Sequence, residues 1–174
     1  MRLYDVLRLC NHTIEWYEEG LQNEVDFSEI GVFLFEPGNS GGIVKFPPCN
    51  LISALNRICK KNNIVIVVDE VTTGIGRTGK WFGYMHYSIV PDIVCMGKGL
   101  GNGYPVSAIA MTEDISERAL AAHFHYAQSH QNDSLGCRVA HHNFYRNDKS
   151  VFDGIGIYIK NYTWNWIKSL EVRK

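Results

Sequence analysis

The chain has 174 residues, 45% of them hydrophobic, with 17 basic and 18 acidic side chains and a net charge of −1. That composition suits one globular domain with a sizeable core, and its near-neutral charge argues against a dominant role on nucleic acid or at a membrane surface. No apolar stretch approaches the ~18 residues of a membrane span. The mixed N-terminus carries no signal-peptide apolar region. Five cysteines, odd in number and without CxxC spacing, read as reduced thiols. The expected location is cytoplasmic, with a mitochondrial one left open. Seven histidines lack an HExxH pattern, so no metal site is expected.

In chain order, Leu3 to Val25 reads as an amphipathic helix, with Leu3, Leu7, Cys10, Ile14, Tyr17 and Leu21 at helical spacing. Gly31 to Phe35 is an apolar strand that ends in Glu36-Pro37, and Gly38 to Gly42 is a loop. Asn50 is the expected cap of a helix over Leu51 to Asn62. Ile64 to Val68 is β-branched throughout and lacks alternation, as expected of a strand covered on both faces of a parallel sheet. A glycine-bearing loop, Gly74 to Tyr87, leads to a strand over Ile93 to Met96. Val106 to Met111 follows closely enough to run antiparallel to it. Helices are predicted at Ile115 to His123, Leu135 to Tyr145 and Ser150 to Leu170.

This order implies an α/β layered sheet, in which ligands sit beyond the carboxyl ends of the strands. Three chemically useful side chains follow predicted strand ends: Glu36, Asp69 and Lys98, the last 29 residues after Asp69 and crowded by glycines. An amine and a carboxylate at one sheet edge could form a Schiff base and hold a pyridinium nitrogen. Gly74-Ile75-Gly76-Arg77-Thr78-Gly79 fits the dinucleotide fingerprint, but the aromatic, glycine-broken run Lys80 to Tyr87 follows it where a phosphate-binding helix should start. The dinucleotide reading is therefore set aside.

Four stretches carry a family resemblance: Phe35-Glu36-Pro37 with Gly41-Gly42, Val68 through Gly79, Val90 to Val94, and Gly97 through Pro105. In their order and spacing they resemble the class III aminotransferases, the ornithine- and 4-aminobutyrate-type enzymes. The resemblance implies pyridoxal 5'-phosphate as cofactor. It also implies the three-layer sheet of the type I large domain, incomplete here, mostly parallel with one antiparallel strand. By resemblance, Lys98 is the Schiff-base lysine and proton shuttle, and Asp69 pairs with the protonated pyridine nitrogen. Val71 packs against the ring, and Thr72 is a cofactor contact where many relatives carry a glutamine. Glu36 lies near the ring hydroxyl or the substrate, or is a structural strand-end carboxylate. Arg77 reads as an ion-pair anchor of its loop. Ser129 stands at the place of a threonine that reaches the phosphate in the neighbouring subunit, which implies a homodimer with a shared site.

The implied reaction moves an amino group between an amino acid or amine and a 2-oxo acid, with weak or no turnover expected of so short a chain. Residues 1–148 read as part of the large domain, and 149–174 as a divergent helical tail. The family's upstream phosphate-cradling turn and its small C-terminal domain have no counterpart in this sequence. Missing strands are expected to leave an apolar sheet face exposed. Two other functions remain open: a fold-retaining interaction module without catalysis, and a racemase or mutase that uses the same cofactor and fold.

Overall fold

The first described helix starts at a cap, which breaks the periodic segment. In the computed structural model, which describes residues 12–39, 41, 45–124, 127, 129 and 131–147, Thr13 is extended and its Oγ1 accepts from the Trp16 N–H at 3.2 Å. That bond satisfies one donor that a helix start leaves open, and helix α1 spans Ile14–Glu24. The expected helix from Leu3 is thus interrupted at His12 and Thr13, and its earlier part lies outside the described residues. Helix α2 spans Cys49–Lys61 behind Pro48, which offers no side-chain cap. Asn50 is therefore not the cap. It lies within the first turn, and its Nδ2 donates to the His12 carbonyl at 2.8 Å, tying α2 to the start of α1.

Four strands form one sheet in the order β1 (Val32–Phe35), β2 (Val65–Asp69), β3 (Ile93–Met96) and β4 (Ala108–Met111). The first three are parallel and β4 is antiparallel to β3. The connection 97–107 is too short for the crossover of a dozen or more residues that a parallel neighbour requires. Upstream of β3, Asp92 pins the pair to β2: its N–H donates to the Ile66 carbonyl, and its Oδ2 accepts from the Ile66 N–H at 2.7 Å. Helix α3 (Glu113–Ala121) and helix α4 (Ser134–Asn147) follow the sheet. No described helix is long and apolar enough to cross a membrane. The predicted helix Ser150 to Leu170 and the tail 149–174 lie outside the described residues.

The register puts Phe33, Phe35, Ile66, Val68, Val94, Met96, Ala108 and Ala110 on one face. They pack with Ile52 and Cys59 of α2, Phe82, Tyr84 and Tyr87 of the loop after β2, Leu100, and Phe144 of α4. Among the described residues the other face lies open, with Leu34 62%, Ile109 58% and Val32 55% exposed. The β-branched run of β2 therefore alternates in burial, although its sequence does not alternate in polarity. After the glycines of 74–79 comes a 3₁₀ turn, Gly83–His86, and no α-helix. The dinucleotide fingerprint thus lacks the helix N-terminus that gives it meaning.

The core is expected to make the chain sensitive to alkali. Cys59 is 1% exposed; burial, and then the charge of Asp92, pushes its thiol from 9.0 to about 11. Between those two values the unfolded chain releases a proton that the folded chain retains, so stability falls as pH rises through the window. Burial raises the Tyr84 and Tyr87 phenols in the same direction. Urea midpoints are expected to drop between about pH 9 and about pH 11, and Cys59→Ala is expected to flatten that drop. An equal slope in the variant would remove Cys59 from the account.

Candidate active site

The site begins where β2 ends. Strand alternation sends Val68 into the core, Asp69 to the open face, and Glu70 back inside. Asp69 is half-buried opposite Cys95, and its Oδ1 accepts from the Val71 N–H at 2.9 Å, which tightens the turn. Burial first, and then the Asp69 charge, raises the Cys95 thiol. Glu70 is 1% exposed and fully engaged. Its Oε2 accepts from Thr73 Oγ1 at 2.6 Å and from the Gly83 N–H at 2.9 Å, and its Oε1 accepts from the Tyr84 N–H at 2.7 Å. Glu70 thus ties the turn after β2 to the 3₁₀ turn further along the chain.

The second half is the turn after β3. Gly97 is extended, and Lys98 follows with φ +38°, opening a 3₁₀ turn over Lys98–Leu100. A non-glycine residue in that region costs about 1–3 kcal/mol and persists only where its surroundings impose it. Here they do. Leu100 is buried, its carbonyl accepts from Asn143 Nδ2 of α4 at 2.9 Å, and the Lys98 carbonyl accepts from the Gly101 and Asn102 N–H groups. A Cβ on Gly97 would lie 3.3 Å from Val71 Cγ1, and one on Gly99 would lie 3.2 Å from Ile75 Cβ. The two turns therefore press together, and Lys98 Nζ donates to Thr72 Oγ1 at 2.6 Å.

Of the residues singled out in the sequence, Asp69, Val71, Thr72 and Lys98 come together on these two turns. Glu36 is half-buried at the carboxyl end of β1, one residue beyond the Phe35–Val68 pair, and so shares the same sheet edge. Ser129 lies in an exposed turn and makes no hydrogen bond to Lys98, Thr72 or Asp69. Arg77 is not the ion-pair anchor expected of it: the ion pairs among the described residues are made by Arg57 and Arg118. Arg77 instead lines, with Lys98, Asn102 and Tyr104, an open cleft of about 380 Å³. Its neighbour Tyr104 donates to Asp133 Oδ2 at 3.0 Å, and that bond raises the Tyr104 phenol. Sequence reasoning missed Glu70: it stands one residue past the end of β2, beside Asp69, and no local pattern marks which of the two acids is buried.

Comparison with known proteins gives the family and the fold. The family model for class III aminotransferases matches residues 6–145. An acetylornithine aminotransferase of Caldanaerobacter subterraneus is 45% identical over 96 residues, which cover 55% of this chain and 24% of that protein. A taurine–pyruvate aminotransferase of Bilophila wadsworthia is 43% identical over 88 residues, 50% of this chain and 19% of its own. Among solved structures, a transaminase from the marine bacterium Virgibacillus superposes with TM-score 0.69 at 27% identity, over 78% of this chain and 32% of that one. An (S)-enantioselective omega-transaminase from Thermomicrobium roseum gives 0.67 at 32% identity, over 76% of this chain and 30% of that one. The chain thus spans about a third or less of each relative's length. Over the matched span of sequence and sheet, the chain belongs to the class III aminotransferases.

Proposed function

We propose that this chain carries the cofactor-attachment part of a pyridoxal-phosphate-dependent aminotransferase site, whose reaction moves an amino group between an amino acid or amine and a 2-oxo acid. The observation that carries the reading is an amine, Lys98, and a carboxylate, Asp69, on two pressed-together turns at the carboxyl edge of adjacent parallel strands. Class III aminotransferases use pyridoxal phosphate. The residues present fit that group. Lys98 offers an amine in an open cleft. Asp69, steadied by the Val71 N–H, offers a carboxylate to a protonated ring nitrogen, and Val71 beside it offers an apolar surface. When bound, the cofactor supplies an electron sink for the carbon that loses a proton.

Four of the chain's own residues contribute. Lys98 would be the attachment point and the base that moves the proton at the donor's carbon. Asp69 keeps the ring nitrogen charged. Glu36, at the same edge on the neighbouring strand, is placed in this reading near the ring hydroxyl or the substrate. Ser129, exposed in its own chain, is placed in this reading against the site of a second copy, giving a homodimer with shared sites. The donors in the relatives' names differ, so the amino donor is left at the level of an amine or amino acid.

The test is a borohydride trap. The purified chain is incubated with pyridoxal phosphate, reduced and digested, and the modified lysine is mapped by mass spectrometry. Selective modification of Lys98, abolished in Lys98→Ala, is expected. Modification spread over Lys60, Lys61 and Lys80, and unchanged by the substitution, would overturn the reading in favour of a fold kept without its chemistry. Turnover by the isolated chain is expected to be weak, and efficient transamination by it would contradict the need for further polypeptide.

A further inference from the structure

We propose that Thr72 is the positioning residue for Lys98, holding the lysine amine in the direction from which it reacts; this deepens, and rests on, the reading of Lys98 as the attachment point. The contact joins residues 26 positions apart, at 2.6 Å between Nζ and Oγ1. Lysine has a long stem that loses rotamer freedom when fixed, so an exposed lysine takes one direction only if something holds its end. The Thr72 hydroxyl is an acceptor for that end, and a hydrogen bond from a charged donor is among the stronger kinds.

Both partners sit on constrained backbone, which gives the bond its direction. Lys98 has φ +38°, imposed by a turn whose Gly97 and Gly99 lie against Val71 and Ile75 on either side of Thr72. Thr72 lies in the turn that Asp69 tightens through the Val71 N–H and that Glu70 anchors in the core. One short segment therefore presents both the carboxylate for the ring and the hydroxyl for the amine. The hydroxyl serves the lysine, and this departs from the cofactor contact that the resemblance implies for this position.

The experiment uses the cofactor-free full chain. Trace acetylation with acetic anhydride is followed by mass spectrometry, and the rate at Lys98 is referred to exposed Lys60 and Lys61 in the same molecule. In Thr72→Val, which keeps the shape and removes the acceptor, the Lys98 ratio is expected to rise about 3-fold or more, and in Thr72→Ser it is expected to stay within about 2-fold of the parent. Thr72→Ala, which also lacks the acceptor, gives the same answer if the valine variant is poorly folded. An unchanged ratio in the valine and alanine variants overturns the proposal, as does an equal rise in the serine variant. Trapping with pyridoxal phosphate separates the two readings. Unselective trapping in the parent chain overturns the role of Lys98, and that of Thr72 with it. Selective trapping in the parent, with unchanged acetylation in Thr72→Val, overturns the role of Thr72 alone.

Discussion

Replacing Glu70 with alanine is expected to cost about 3 kcal/mol or more of folding stability. The carboxylate accepts three hydrogen bonds in a place that water does not reach, being 1% exposed. Two of the donors are the Gly83 and Tyr84 N–H groups at the start of the Gly83–His86 turn, whose own flanking residue Phe82 offers no side-chain cap. Glu70 thus caps that turn from 13 and 14 residues away. Alanine leaves two backbone donors and the Thr73 hydroxyl unsatisfied, each at a cost of about 1–3 kcal/mol. Glu70→Gln keeps the volume but turns an NH₂ toward N–H donors, so a loss of about 1.5–3 kcal/mol is expected. Urea unfolding of the two variants checks this, and a cost below about 1 kcal/mol in Glu70→Ala would show that other acceptors replace the carboxylate. Because Asp69 and Thr72 ride on the same turn, the alanine variant is also expected to lose selective trapping at Lys98.

Gly101→Ala is expected to be of similar severity, about 3 kcal/mol or more, for a different reason. Gly101 has φ −87°, which any residue can adopt, so the dihedral is not at issue. A Cβ there would fall well inside van der Waals contact of the Tyr104 carbonyl oxygen, and 2.9 Å from Val106 Cγ1. The Tyr104 N–H donates to the Gly101 carbonyl at 2.9 Å, so the turn cannot open without breaking its own bond. No rotamer relieves backbone against a Cβ. Gly103 is the matched control: it has φ +103° with open space around the Cβ, so Gly103→Ala carries strain alone, about 1–3 kcal/mol. Thermal unfolding should rank Gly101→Ala below Gly103→Ala. The Gly101 N–H also donates to the Lys98 carbonyl, so trapping at Lys98 should fall in step with stability. If Gly101→Ala folds like the parent, the turn is looser than this geometry.

The parts of this protein legible in the sequence are those set by short-range pattern. The β-branched run before Asp69 and the apolar run before Lys98 had to be strands, since they are too short and too evenly apolar for surface helices, and both ends lie at one edge once the strands are parallel. The antiparallel β4 followed from the length of its connection. Where local signals competed, the sequence reading went astray. Apolar periodicity ran past Thr13, a cap visible in hindsight, and Asn50 resembled a cap although the chain already turns at Pro48.

Only the tertiary structure decided the rest. Glu70 is a neighbour of Asp69 in sequence, and nothing local says that it is the buried one; its partners arrive from 13 and 14 residues away. The contact between Thr72 and Lys98 exists because two glycines let one turn settle against another, and the steric allowance of a glycine acquires a direction only when the opposing backbone is in place. The open face of the sheet has the same origin. The residues of β1, β2 and β4 are apolar on both sides, and which side is covered depends on where the rest of the chain packs.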